Sequence, residues 1–133
     1  MERTLNVTGR VLLAHIFVIS GWSKIAGYAG TQAYMTSVGL PGELLPLVIA
    51  LELLGGLALI VGFRTRWTAI ALAAFSVVSA VIFHSNFADQ MQMISFMKNF
   101  AMAGGLLILA QTGATAFSVD AKRPQRSTRH VHA

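Results

Sequence analysis

Six side chains in this sequence could do chemistry in concert: Lys24, Glu52, His84, Asn86, Lys98 and Asn99. Glu52 is the most informative of them. It sits in the middle of an apolar run, Leu44 to Phe63, that is long enough to cross a bilayer, since about 20 apolar residues match a ~30 Å hydrocarbon core. A bare carboxylate at that depth costs about 2.5–3.5 kcal/mol, so it calls for a partner inside the protein. Lys24 and Lys98 can each supply a cation. His84 is of the residue type that changes charge near neutral pH, and Asn86 and Asn99 add amide donors and acceptors. Such a set suits either a buried structural ion pair or a site that orients a polar head group and exchanges protons with it.

The elements that must position these residues are membrane helices. The chain has 133 residues, of which 55% are hydrophobic and 11% charged, and its mean hydropathy is +0.65; an ordinary soluble domain carries about 25% charge. Four apolar runs stand out, at Leu5–Ile25, Leu44–Phe63, Trp67–Phe87 and Met93–Gln111. Arg3, Arg10, Arg64, Arg66, Lys122, Arg123, Arg126 and Arg129 fall on one side of these spans, and only Lys24 and Lys98 on the other. That asymmetry predicts both termini in the cytoplasm. The first run, with Arg3, Arg10 and the later AGYAG, imitates a cleaved leader. Cleavage would leave three spans with the two Arg-rich connections on opposite sides, against the same charge rule.

The turn Gly62-Phe63-Arg64-Thr65-Arg66-Trp67 is so short that the second and third spans must form an antiparallel hairpin. The long outer connection, with Gly27, Tyr28, Gly30, Tyr34, Gly39, Pro41, Gly42 and Pro46, suits turns and an interfacial segment with aromatic anchors. Gly55 and Gly56 share the helix face of Glu52 and let a neighbouring backbone approach, and Gly104 and Gly105 are expected to do the same in the fourth span. The expected fold is all-α: an antiparallel four-helix transmembrane bundle over residues 1–120, followed by a basic, disordered cytoplasmic tail over residues 121–133.

Depth follows from position at ~1.5 Å per residue. Lys24 closes the first span on the outer side, and His84 and Asn86 close the third there. Lys98 and Asn99 lie about 7–9 Å below the outer end of the fourth, and Glu52 lies ~12 Å below that of the second, within reach of a long lysine. His15, nine residues before Lys24, falls on the opposite helix face and reads as a bystander or an interface residue.

The sequence contains no cysteine, which removes disulfides, thiolate metal sites and CxxC redox centres. His15 and His84 are separated by nearly ~20 Å in depth, too far to share a haem. Met91, Met93, Met97 and Met102 lack the His or Cys of a copper site and read as packing. Asn6-Val7-Thr8 fits a glycosylation sequon, but on the expected cytoplasmic side it is a chance match. The net charge of +5 flanks apolar runs and is suited to anionic lipid rather than nucleic acid.

Seven segments in order, covering roughly residues 8–120, resemble the DoxX family of small four-helix inner-membrane proteins, especially its enterobacterial branch. They are Gly21-Trp22-Ser23-Lys24-Ile25 with Gly27-Tyr28-Ala29-Gly30; Leu40-Pro41-Gly42; Glu52 to Gly56; Gly62-Phe63-Arg64-Thr65-Arg66; His84-Ser85-Asn86-Phe87; Phe96-Met97-Lys98-Asn99; and Thr112-Gly113 with Phe117-Ser118-Val119-Asp120. The resemblance implies a multi-pass protein of the bacterial inner membrane. It also implies association with redox chemistry, because one relative is the small subunit of a thiosulfate:quinone oxidoreductase and others look like membrane partners of soluble redox enzymes. It transfers no catalytic role to any residue.

The leading functional expectation is an integral membrane subunit of a quinone-linked redox system. In it Lys24, Glu52, His84, Asn86, Lys98 and Asn99 bind the head group of a membrane quinone or a similar aromatic, with no metal and no covalently bound cofactor in the chain. A membrane scaffold for soluble redox enzymes and a small-molecule or proton transporter are the alternatives. The expected partners are membrane lipids, with a soluble redox enzyme and further copies of the chain as candidates.

Overall fold

A computed structural model describes residues 1–115 and 117–122. In chain order the helices are α1 (Glu2–Ala26), α2 (Tyr28–Ser37), a 3-10 turn at Gly42–Leu44, α3 (Leu45–Val61), α4 (Thr65–Phe83), α5 (Gln90–Thr112) and α6 (Val119–Lys122). Among the described residues four helical segments, α1, the 3-10 turn with α3, α4 and α5, are long and apolar enough to cross a membrane.

These four helices are apolar all round, and residue size separates their two faces. Leu12, Ile19, Trp22, Leu47, Leu54, Trp67 and Ile108 point outward, whereas Ala14, Ala69, Ala73, Ala103 and Ala110 join Phe17, Leu59, Leu72 and Leu106 in the core. Lipid tails are as apolar as leucine, so close contact of backbones, which small residues allow, is what holds such helices together. Gly56 shows this directly: a Cβ there would meet the Ala14 carbonyl oxygen at 3.1 Å and the Val18 amide nitrogen at 3.2 Å. Gly55 faces the Leu72 side chain. In α5 the expectation for the glycine pair is corrected. A Cβ at Gly104 would meet nothing within 4 Å, because this position faces outward, and Gly105 abuts only the Leu13 side chain.

The tightest pairings are α1 with α3 and α4 with α5. Arg10 reaches Leu59 and Ile60 while Lys24 reaches Glu52; Arg66 reaches Ala110 while Asn99 reaches Ser76. Numbers rise along one helix as they fall along its neighbour, which is consistent with the antiparallel bundle. Gly62 ends α3 in the left-handed region at φ 69°, and its carbonyl accepts a hydrogen bond from the Asp120 amide at 2.9 Å.

At this end of the bundle Arg10, one of the basic residues on the expected cytoplasmic side, turns into the protein. It is fully buried, and its guanidinium donates to the Leu59 and Ile60 carbonyls at 3.3 and 3.2 Å and to Phe117 at 3.2 Å. The carbonyls at a helix C-terminus lack intrahelical donors, and the guanidinium supplies them. Asp120 performs the complementary task for α4: its two carboxylate oxygens accept the Arg64 and Thr65 amides at 2.8 Å each. Asn6 fixes the chain after α5 by donating to the Gly113 carbonyl and accepting from the Thr115 amide.

Two boundaries differ from the expected spans in ways that bear on the site. Helix α4 stops at Phe83 rather than Phe87, because His84 leaves helical geometry at φ −127° and Ser85–Asn86 begin a non-helical connection. The long connection is more ordered than its glycines and prolines suggest, with ten residues of it forming α2. Ala121 and Lys122, expected in the tail, belong to α6, whereas Arg123, Arg126 and Arg129 lie outside the described residues.

Candidate functional site

At the end of the bundle opposite Arg10, the ammonium of Lys24 lies 2.8 Å from Oε1 of Glu52 and 3.2 Å from Oε2. The carboxylate side chain is 2% exposed and the lysine 27%. The expected ion pair therefore forms with Lys24. Its close packing depends on Gly21, one turn before Lys24 on α1: a Cβ there would come within 2.7 Å of Leu53 and 3.3 Å of the Glu52 Cβ. Lys24 also lies in the last turn of α1, where the helix dipole favours a cation.

Two cavities meet at this pair. The first is a slot of about 350 Å³ whose walls are mainly apolar, from Tyr34, Met35, Val48, Phe75, Val78, Ile82 and Phe83; its polar contributors include Lys24, Glu52, Ser79 and His84. Helix α2 closes one side. Tyr34 stacks on Phe83 with ring centroids 5.3 Å apart, and its hydroxyl donates to the Phe83 carbonyl at 3.5 Å. The second cavity is a partly open chamber of about 160 Å³ between the helices, where Ser20, Ser76, Ser79 and Asn99 join Lys24, Glu52 and His84.

Four of the six expected site residues thus come together. Lys24, Glu52 and His84 border both cavities, and Asn99 borders the chamber, where its amide donates to the Ser76 carbonyl at 3.2 Å. The other two do not join them. Lys98 is exposed and borders neither cavity; it is one residue, and so ~100° of helix rotation, from Asn99. Asn86 is exposed in the connection after α4, where its backbone amide donates to the Gln92 side chain at 3.1 Å.

Helix geometry puts Ser20 close to the Lys24 face, as found, but the sequence does not single out Phe75, Ser76, Ser79 or the α2 side of the slot. On the α2 side Tyr34 carries a signal, as an aromatic anchor. A single serine or phenylalanine inside an apolar span has no spacing that separates a cavity wall from ordinary packing.

Comparison with known proteins adds three relatives and a family. The sequence pattern of the DoxX family matches residues 5–85. The chain is 51% identical over 114 residues to the inner membrane protein YqjF of Escherichia coli (strain K12), covering 86% of this chain and 88% of that one. It is 36% identical over 123 residues to inner membrane protein YphA of the same organism, covering 87% and 88%. A Bacillus subtilis (strain 168) protein named "Putative oxidoreductase CatD" is 36% identical over 73 residues, covering 55% of this chain and 54% of its own length. No solved structure matches the chain.

Proposed function

We propose, from the premise that this chain belongs to the DoxX family, that it is the membrane subunit of a quinone-linked redox system and takes the head group of a membrane quinone, or a similar aromatic ring, into the slot beside Lys24 and Glu52. The chain is a multi-pass inner-membrane protein, as its four apolar helices and its inner-membrane relatives indicate. In the proposed orientation both termini face the cytoplasm and the Lys24 end faces outward, in keeping with the basic residues gathered at the other end.

One observation carries this reading: an apolar slot with an ion pair at its polar end. Its volume of about 350 Å³ lies within the ~300–1,000 Å³ of small-molecule sites, which are typically apolar with a few convergent polar groups. The rings of Phe75, Tyr34 and Phe83 offer flat surfaces for a planar ring. The Lys24 ammonium offers a donor to a ring oxygen, and His84 a second, polar position. A bound quinone would supply the electron-accepting ring. The chain's own residues would hold it, orient its oxygens and keep a transferable proton at Nζ of Lys24, while a soluble redox enzyme with a flavin or metal centre exchanges the electrons. A relative whose name includes "oxidoreductase" supports the redox class.

Extraction in a mild detergent followed by assay for co-purifying quinone tests the reading. Near-stoichiometric quinone is expected, and its absence from protein that remains folded would count against a quinone site.

A further inference from the structure

The chamber behind Glu52 differs from the slot in kind. It is small, lies where α1, α3, α4 and α5 converge, and is lined by hydroxyl and amide groups from three of them. Ser76 spends its hydroxyl on the Leu72 carbonyl at 2.8 Å, and Asn99 uses its amide nitrogen on Ser76. Among the described residues, the hydroxyls of Ser20 and Ser79 and the ring of His84 make no hydrogen bond to protein. All three residues are half-buried, so water entering the chamber can satisfy them. A volume of about 160 Å³ is several times what a single water needs, and the polar lining of Lys24, Glu52, Ser20, Ser79, His84 and Asn99 can supply the two to four partners that an ordered water takes.

Resting on the quinone reading for the identity of the acceptor, we infer that this chamber is a hydrated proton-exchange compartment that connects the Lys24–Glu52 pair to the aqueous phase, with His84 at its mouth. Geometry separates the two tasks: the slot receives the ring and the chamber delivers protons, across a shared wall of Lys24, Glu52, Phe75, Ser79 and His84. The exchange balances. A proton moves from Nζ of Lys24 to an acceptor oxygen in the slot, leaving a neutral amine beside the Glu52 carboxylate. A proton relayed from the aqueous phase by chamber water, which leaves no hydroxide behind, then passes through the carboxylate to the amine, and the ion pair is restored. One proton has moved from the aqueous phase to the acceptor, and a second cycle supplies the second proton of a two-electron reduction. The electrons come from the partner's flavin or metal centre and do not cross the chamber.

The titratable groups facing this compartment are Lys24 from α1, Glu52 from α3 and His84 at the end of α4; α5 contributes Asn99 and Met102, which do not titrate. Tyr34 of α2 borders the slot but not the chamber.

The absence of cysteine from the chain makes hydration directly measurable, because silver ions react with a thiol that water can reach and ionise. In nanodiscs, Ser76→Cys, which borders the chamber and not the slot, should react within tenfold of the rate of Asn86→Cys, which lies in the exposed connection. Ala74→Cys, on the outward face of α4, should react at least a hundredfold more slowly. A Ser76→Cys rate as slow as that of Ala74→Cys would overturn the inference whether or not a quinone binds. Adding His84→Leu to Ser76→Cys should slow labelling at least tenfold, and an unchanged rate would remove His84 from the route.

A second measurement follows the protons. When a bound quinone analogue is reduced with dithionite in the presence of a pH dye, Ser20→Leu should slow proton uptake at least tenfold while leaving analogue affinity within twofold, since Ser20 borders the chamber but not the slot. Equal uptake rates would overturn the compartment's role. Failure of the parent to bind any analogue would instead sink the quinone reading, and the silver measurement would still decide hydration.

Discussion

Lys24 and Glu52 meet across 28 residues of sequence, with Nζ 2.8 Å from Oε1, so that the last turn of α1 is fastened to the middle of α3 by an ion pair whose acidic member is almost wholly buried. Breaking such a pair by removing one partner strands a charge, whereas replacing both with apolar groups removes the need for either.

The two kinds of change should therefore differ. Lys24→Met is expected to destabilise by about 3 kcal/mol, the low end for buried pairs because the lysine is partly exposed. Lys24→Met with Glu52→Leu should recover at least ~1 kcal/mol of that loss, read as a coupling energy from unfolding in detergent. Strict additivity would show that the two groups do not interact.

The Arg10 end yields a separate expectation. Asp120 accepts two backbone amides at the start of α4, so Asp120→Ala should cost about 1–2 kcal/mol, as loss of a helix cap does, and Asp120→Asn less. Arg10→Leu strips donors from several buried carbonyls and should cost more than Asp120→Ala. Thermal unfolding of the three variants would check this order.

Two glycines of similar sequence setting should respond with opposite signs. At Gly56 an added methyl meets the α1 backbone, and Gly56→Ala should destabilise by about 1–3 kcal/mol. At Gly104 it meets nothing, and Gly104→Ala should stabilise by up to ~1 kcal/mol through helix propensity alone. A shared sign would contradict the packing described for these helices.

Depth was legible in the sequence, and rotation was not. Counting residues from helix ends placed Glu52 within reach of Lys24, because rise per residue is constant. Choosing between Lys24 and Lys98 required the rotational setting of α5, which its apolar residues, spread all round the helix, do not encode; the structure turns Asn99 inward and leaves Lys98 outside. Charge asymmetry puts Arg10 at the cytoplasmic end but cannot distinguish headgroups from helix carbonyls as its partner. Helix α2 was hidden by Gly27 and Gly30, which suggested turns, although Tyr28–Ser37 between them and beyond are helical once packed over the slot.

The central claim is that the slot beside Lys24 and Glu52 binds a quinone-like ring. The most direct measurement is the affinity of a short-tailed quinone analogue for the protein in nanodiscs, compared among the parent, Lys24→Met, His84→Leu and Lys98→Met. The predicted result is saturable binding by the parent, at least tenfold weaker binding by Lys24→Met and His84→Leu, and affinity within twofold of the parent for Lys98→Met, whose side chain borders neither cavity. Equal affinity in all four, or no binding to any, would contradict it.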